Sequence, residues 1–79
     1  MEFDEDLDCI GLLCPLPVLR ARKRLMAMQP GQVLRVRASD AMAAVDLPHF
    51  CDAAGHVFLG SQATGDAAAY FIRRGPDQG

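Results

Sequence analysis

Residues 11–31 read GLLCPLPVLRARKRLMAMQPG, and the rest of the fold can be built outward from this stretch. Its second half has apolar residues at three- and four-residue steps, which is the period of an amphipathic helix. These residues are Val18, Ala21, Leu25 and Met28, with Leu19 and Met26 widening the stripe. Pro17 suits a first helical turn, where its missing N–H is no loss. We therefore expect a helix that begins near Pro17 and is closed by Pro30-Gly31.

Extended segments stand on both sides of this helix. They alternate between apolar and polar residues or are rich in β-branched and aromatic residues, both of which are typical of strands. The predicted strands are Phe3–Ile10, Gln32–Ala38, Val57–Gln62 and Ala67–Arg74. Residues 63–66 predict the turn of a hairpin between the last two strands. Gly75–Gly79 is expected to be a frayed tail.

A second helix is predicted over Ala41–Ala54. Ser39-Asp40 suits its N-cap, and Gly55 suits the left-handed position after its last residue. Pro48 interrupts the segment, because proline lacks the N–H that a helix interior requires. We expect Pro48 to divide the helix or to reset its start, with Asp46 as the cap of the second piece.

The predicted order of elements is βαβαββ. A helix between neighbouring strands favours right-handed connections, which place both helices on the same face of the sheet. The expected fold is therefore an α/β two-layer sandwich, with a four-stranded mixed sheet, two helices on one face and a second face that is partly bare. A length of 79 residues predicts one domain over residues 1–79.

Composition excludes several classes of protein. Apolar residues make up 51% of the chain, which is typical of a folded domain and not of a disordered one. No apolar run approaches the roughly 20 residues needed to cross a bilayer. The acidic first residues are unlike the basic start of a signal peptide. We expect a cytoplasmic protein that does not contact membranes and is a monomer.

Three cysteines and two histidines are the candidate reactive or ligating groups. An odd number of cysteines in a reducing compartment argues against a disulfide framework. The spacing of Cys9, Cys14, His49 and His56 does not fit a zinc site, so we expect no metal and no cofactor. Cys51 lies on the apolar face of the second helix and is expected in the core. His56 follows that helix, where a histidine favourably meets the negative end of the dipole.

Cys14 stands directly before the first helix, and its position suggests reactivity. The N-terminus of a helix and nearby cations both favour a thiolate, so we expect a Cys14 pKa below the ordinary value of about 8.5. The cations are Arg20, Arg22 and Lys23. Pro15 and Pro17 fix φ and stiffen the loop. The alternative interpretation is that Cys14 is a small apolar residue buried between loop and helix.

The chain resembles the TusA/SirA family of sulfur carriers from about Leu7 to Gly75. The resemblance rests first on Leu7-Asp8-x-x-Gly11-Leu12-x-Cys14-Pro15-x-Pro17, which contains the Cys-Pro-x-Pro motif of that family. Further matching segments are Pro30-Gly31, Asp40, Asp46-x-Pro48-x-Phe50-Cys51, Gly55-His56 and Arg73-Arg74-Gly75. The fold implied by the resemblance agrees with the order derived above.

The resemblance also implies a function. Cys14 would hold sulfane sulfur as a persulfide, received from a cysteine desulfurase or a rhodanese-like donor. An acceptor protein would take that sulfur toward tRNA thiolation, molybdenum-cofactor assembly or sulfur metabolism. Pro15, Pro17 and Asp40 would support the cysteine, and Arg22 and Lys23 would contact partners.

Two other functions remain open at this point. The basic helix and the bare sheet face could serve a nucleic-acid-binding or regulatory module. A chain with one Tyr, no Trp and a net charge of −2 does not favour direct binding to nucleic acid. A thiol redox protein would need a second cysteine near Cys14. Cys9 could provide it, although a buried strand cysteine is the simpler interpretation.

Overall fold

The computed structural model describes residues 1–76 and consists of a four-stranded sheet covered by two helices. The elements are β1 (Glu5–Cys9), α1 (Leu16–Met26), β2 (Val33–Ala38), α2 (Ala43–Ala54), β3 (Val57–Thr64) and β4 (Ala67–Arg73). This order confirms the predicted βαβαββ sandwich with a mixed sheet. Within the described residues, neither helix is long and apolar enough to span a bilayer.

The sheet has the strand order β1-β2-β4-β3. β1 and β2 are parallel, with Leu7 opposite Val36, and α1 is the crossover between them. β4 pairs with β2 and β3 in antiparallel directions, with Val36 opposite Tyr70. Since parallel strands end at the same edge of a sheet, the segments that follow β1 and β2 lie side by side. This edge carries the candidate site.

One face of α1 packs on the sheet. Ala21 and Leu25 are fully buried there, and Leu34 is fully buried on the facing strand. The prediction that Leu19 and Met26 widen this stripe is wrong, because their exposed fractions are 50% and 67%. Each lies one or two residues along the chain from a buried residue. At 3.6 residues per turn, that step turns its side chain about 100–200° away from the buried face. The apolar face of α1 is therefore narrower than its sequence suggests.

α2 runs without a break through Pro48, so the predicted division of the helix is wrong. Pro48 cannot donate to the carbonyl of Ala44, which removes one bond from the helical ladder. Burial of Leu47 and Cys51 on the same face of α2 stabilises the helix against that loss. Asp46 consequently lies in the first turn of an intact helix and is not the cap of a second one.

The second face of the sheet is only partly bare. Asp6 on β1 accepts hydrogen bonds from Arg35 (2.7 Å) and Arg37 (3.0 Å) on β2. Arg35 holds the pKa of Asp6 below its ordinary value, and Arg37 adds to that effect. The ring of Phe3 lies under the Arg35 guanidinium and 6.4 Å from the ring of Phe71, which is 2% exposed. An ion-pair network and a covered aromatic residue therefore occupy this face.

The end of the described chain is anchored, which corrects the prediction of a frayed tail at Gly75. The Gly75 N–H donates to Nδ1 of His56 at 2.9 Å, and Gly75 is buried. A Cβ at this position would overlap the Gly55 carbonyl, so the packing requires glycine. The last residues of the predicted tail, 77–79, lie outside the described residues. The hairpin turn is also tighter than predicted, because β3 reaches Thr64 and β4 begins at Ala67.

His56 is held in its neutral form. Burial lowers the pKa of His56, and the charge of Arg74 lowers it further. A neutral imidazole can accept the Gly75 N–H, whereas an imidazolium cannot. The expected interaction of a charged histidine with the helix dipole is therefore wrong, although the structural role remains.

We predict that the protein loses stability as the pH falls below about 6.5, the ordinary pKa of histidine. Because the folded pKa of His56 is depressed, the unfolded chain binds more protons in this range, and stability is retained only above it. Chemical unfolding at pH 7.5 and pH 5 measures the loss. His56→Asn keeps a neutral acceptor and should reduce the loss.

His49→Asn is the matched control, because His49 is exposed on α2. It should leave the loss unchanged. An equal loss in the His56→Asn variant would show that His56 is not the titrating group. The pKa values of Asp6 and Asp40 are also lowered from their ordinary value of 3.8. Their effect on stability therefore falls near and below that value, outside the pH range of this experiment.

Candidate functional site

The loop between β1 and α1 presents Cys14 to solvent. Cys14 is exposed, whereas Cys9 on β1 and Cys51 on α2 are buried. Burial raises the pKa of Cys9 and raises that of Cys51 to about 11. The alternative in which Cys14 is a buried apolar residue is therefore wrong. Cys14 is the thiol that another protein could reach without unfolding this one.

Asp40 ties the Cys14 loop to the start of α2. Its Oδ2 accepts the Cys14 N–H at 2.7 Å, and its Oδ1 accepts the Met42 N–H at 3.0 Å. Both bonds lower the pKa of Asp40, with that from Met42 the stronger. Ser39 adds a second tie, since its Oγ accepts the Gly11 N–H at 2.9 Å. The segment after β2 thus holds the segment after β1, because side chains of the former accept backbone N–H groups of the latter.

Asp46 contacts the thiol itself. Sγ of Cys14 donates a hydrogen bond to Oδ2 of Asp46 at 2.9 Å. Sequence reasoning missed this contact because it assigned Asp46 to the cap of a broken helix. A continuous α2 would have placed Asp46 in the first turn, close to Asp40. Two carboxylates therefore meet at Cys14, one at the backbone and one at the sulfur.

The pKa of Cys14 is raised, which corrects the predicted lowering. The hydrogen bond to Asp46 is the largest cause, followed by desolvation and by the negative charges of Asp46 and Asp40. Cys14 is nevertheless exposed. A carboxylate that accepts a hydrogen bond from a thiol favours the protonated sulfur.

The start of α1 offers fewer N–H donors than was expected. Pro15 occupies the N-cap and Pro17 lies in the first turn, and neither has an N–H. The N–H of Leu16 donates to the Leu13 carbonyl at 2.9 Å. The prolines that stiffen the loop therefore also remove donors that could have stabilised a thiolate.

The cations of α1 are not among the groups that shift the pKa of Cys14. Arg20 lowers the pKa of Cys9, and Arg24 pairs with Glu5 at 3.2 Å. Arg22 and Lys23 are exposed on α1. A shallow groove of about 590 Å³ runs beside this helix, and it is lined by Leu7, Leu19, Arg20, Lys23, Arg24 and Ala27. The basic residues form a surface along α1 and do not contribute to the pKa of Cys14.

Exposed apolar residues lie next to the site residues along the chain. Leu13 is 70% exposed and Val45 is 61% exposed, and Leu16 and Met42 are also exposed. Among the described residues, no group of three or more His, Cys, Asp or Glu side chains could hold a metal ion. The site is therefore an exposed thiol beside a carboxylate, and exposed apolar residues stand close to it in the sequence.

Comparison with known sequences matches most of the chain to one family and to several individual relatives. Residues 5–74 match the family described as Sulfurtransferase TusA. The sulfur carrier protein TusA of Allochromatium vinosum is 41% identical over 73 residues, which is 92% of this chain and 96% of that protein. The YrkF protein of Bacillus subtilis is 36% identical over 69 residues, or 87% of this chain. This chain spans only 37% of the length of that second relative.

The fold also has a solved counterpart. The crystal structure of a SirA-like protein from Desulfitobacterium hafniense superimposes with a TM-score of 0.81. It covers 91% of this chain and 99% of its own, at 23% sequence identity. At this level of identity the likeness establishes the shared fold.

We predict that Cys14 is alkylated with a pH midpoint above the ordinary value of about 8.5. The carboxylate of Asp46 stabilises the thiol, so more alkaline conditions are needed to form the reactive thiolate. The measurement is the rate of iodoacetamide labelling against pH, with peptide mapping to assign the cysteine. A midpoint at or below the ordinary value would contradict the contact between Cys14 and Asp46. Cys9 and Cys51 should react only after unfolding, because both are buried.

Proposed function

Because this chain belongs to the TusA sulfurtransferase family, which supports a role as a sulfur carrier, we propose that it holds sulfane sulfur as a persulfide on Cys14. It accepts this sulfur from a donor protein and delivers it to an acceptor protein. Its activity is that of a relay between two proteins rather than of an enzyme that turns over a small molecule.

The observation that supports this proposal most strongly is the exposure of Cys14. Of the three cysteines, it alone is exposed. A carrier must bring its sulfur within bonding distance of a sulfur on another protein, which a buried thiol cannot do. The stiff loop with Pro15 and Pro17 holds the backbone of Cys14, and Asp40 fixes its N–H. We assign these three residues to positioning of the thiol.

Donor and acceptor are proposed by class. The donor is a cysteine desulfurase or a rhodanese-like protein, both of which carry an activated sulfur on cysteine. The acceptor acts in tRNA thiolation, in molybdenum-cofactor assembly or in another branch of sulfur metabolism. Arg22 and Lys23 on α1 are assigned to docking, because a charged patch beside a reactive group accelerates association with a complementary surface.

The charged residues of the sheet also favour a carrier over a nucleic-acid-binding module. Arg35 and Arg37 on the open face are engaged by Asp6, so their charge is partly neutralised within the protein. Tyr70 is buried on β4 and offers no exposed ring for stacking. Two arginines of this face are therefore engaged within the protein, which weakens the case for a nucleic-acid-binding module.

We expect Cys14→Ser to abolish sulfur loading without unfolding the protein. Intact-mass spectrometry after incubation with a cysteine desulfurase and cysteine should show a gain of about 32 Da in the wild type and none in the variant. Serine cannot form a persulfide, and the site is exposed, so the fold should tolerate the change. Loading of the Cys14→Ser protein would overturn the assignment of Cys14.

Cys51→Ser is the matched control for this experiment. It should load sulfur normally but lower the free energy of unfolding by about 1–3 kcal/mol, because it places a hydroxyl in an apolar site that is 1% exposed. An unchanged melting curve would contradict burial of Cys51. A mass loss of about 2 Da would instead indicate a redox cycle through a disulfide.

Reversing the charge of both docking residues, Arg22→Glu with Lys23→Glu, should slow sulfur transfer from the donor about 10-fold at low salt. Electrostatic steering affects association, so the effect should shrink as salt rises. Alkylation of Cys14 should stay unchanged in the same variant, since neither side chain acts on its pKa. Arg73→Glu, an exposed reversal on β4, is the control and should transfer normally. Transfer at the normal rate by the double variant would exclude this part of α1 as the docking surface.

A further inference from the structure

We propose that Asp46 takes the proton from Cys14 when sulfur arrives and supplies a proton to Cys14 when sulfur leaves. This role rests on the proposed persulfide function, and it assigns to a second residue of the chain a direct part in the chemistry. It makes the thiol and the carboxylate one reactive unit.

The geometry is that of a proton transfer pair. The Cys14 Sγ–H points at Oδ2 of Asp46 across 2.9 Å, within the reach over which a side-chain base abstracts a proton. Asp46 lies in the first turn of α2, and its backbone N–H donates to the Met42 carbonyl at 2.8 Å. The carboxylate is thus presented from a rigid helix, while the thiol is presented from a loop stiffened by two prolines.

Asp40 is not suited to the same task. Both of its carboxylate oxygens accept backbone N–H groups, one from Cys14 and one from Met42. These two bonds favour its charged form and lower its pKa. Asp40 therefore positions the loop, while Asp46 contacts the sulfur that reacts. Among the described residues, these two carboxylates are the charged groups that act on the Cys14 pKa.

The raised pKa of Cys14 creates a need for such a base. Thiolates attack disulfide and persulfide sulfur, whereas thiols do not, and little thiolate forms at neutral pH when the thiol pKa is raised. A thiol of high pKa is also a poor leaving group when it departs as the anion. A carboxylate that removes a proton during attack and supplies one during departure offsets both disadvantages.

The loading step balances as follows. Asp46 takes the proton of the Cys14 thiol, and Sγ attacks the outer sulfur of the donor persulfide, R–S–SH. A new S–S bond forms on Cys14, the S–S bond of the donor breaks, and the donor sulfur leaves with the bonding electron pair. Asp46 gives its proton to that sulfur. The sum is Cys14–SH + R–S–SH → Cys14–S–SH + R–SH, with no net oxidation or reduction.

Delivery uses the same residue in the opposite sense. The thiolate of an acceptor, R′–S⁻, attacks the outer sulfur of Cys14–S–SH, and the bond between the two Cys14 sulfurs breaks. Asp46 takes the proton that the acceptor thiol R′–SH gives up when it forms this thiolate, and donates it to Sγ as the electron pair arrives there. Cys14 leaves as a neutral thiol, and the acceptor holds the persulfide R′–S–SH.

The test compares wild type, Asp46→Asn and Asp52→Asn. Asparagine keeps the shape of the side chain but cannot take a proton at neutral pH. Asp52→Asn is the matched control, because it removes the same charge from an exposed position on the same helix. Two quantities are measured between pH 6 and pH 10. One is the rate of Cys14 alkylation by iodoacetamide, and the other is the single-turnover rate of sulfur uptake from a persulfide-loaded desulfurase.

The expected result is that the two quantities change in opposite directions. In Asp46→Asn the alkylation midpoint moves to lower pH, because the bond that held the thiol proton is lost. Sulfur uptake at pH 7 nevertheless falls about 10-fold or more, as expected when a general base is removed. This deficit should disappear at the alkaline end of the range, where the thiol ionises without help. Asp52→Asn should match the wild type in both measurements.

Three results would overturn the inference. If uptake by Asp46→Asn rises together with its thiolate fraction, Asp46 only suppresses the reactivity of Cys14. If neither quantity changes, the 2.9 Å contact has no role in transfer. If the wild type itself fails to load, the proposed function falls and the role of Asp46 falls with it. The first two results leave the proposed function intact, so the two failures are distinguishable.

Misfolding of the variant would not imitate the expected result. At the alkaline end of the range the alkylation rate depends on exposure of an ionised Cys14, so Asp46→Asn should reach the wild-type plateau there. Asp46→Glu gives a second check, because it restores a carboxylate on a chain one methylene longer. It should recover part of the uptake at pH 7, and failure of this variant to exceed Asp46→Asn would count against a proton-transfer role.

Discussion

The parallel pairing of β1 with β2 is the constraint on which the rest of the site depends. Because both strands run in one direction, the loop that carries Cys14 and the segment that carries Asp40 leave the sheet at the same edge. The Asp40 carboxylate then bridges Cys14 and the start of α2 through backbone N–H groups. Without this pairing, the reactive loop would have no partner to fix its direction.

The same geometry explains an apparent contradiction in the chemistry. A sulfur carrier needs a reactive sulfur, yet the carboxylates beside Cys14 favour the protonated thiol. An exposed thiolate would be open to oxidation and to unwanted exchange, since both follow thiolate character and access. A thiol that donates a hydrogen bond to Asp46 has less thiolate character than a free one, and it already contacts a carboxylate. The chain belongs to the TusA family, which supports a role as a sulfur carrier, so the reactivity of this sulfur matters for its function.

Charges are divided between separate parts of the molecule. On the open face of the sheet, Asp6 engages Arg35 and Arg37, so these groups stabilise the surface of the fold. On α1, Arg22 and Lys23 are exposed. The loop of Cys14 and the start of α2 carry exposed apolar residues, among them Leu13 and Val45. Charged and apolar surface residues therefore lie on different segments of the chain.

The sequence by itself determined the order of elements, the sandwich and the exposed cysteine before the first helix. These follow from local periodicity and from turn residues, which act over a few positions. The resemblance to the TusA/SirA family also predicted that Asp40 supports the cysteine of the motif. Sequence reasoning predicted the wrong direction for the Cys14 pKa and the wrong role for Asp46. The direction depends on a carboxylate 32 positions away along the chain. Only the tertiary structure decides such a contact, because α2 must continue through Pro48 and pack beside the loop before Asp46 can reach the sulfur.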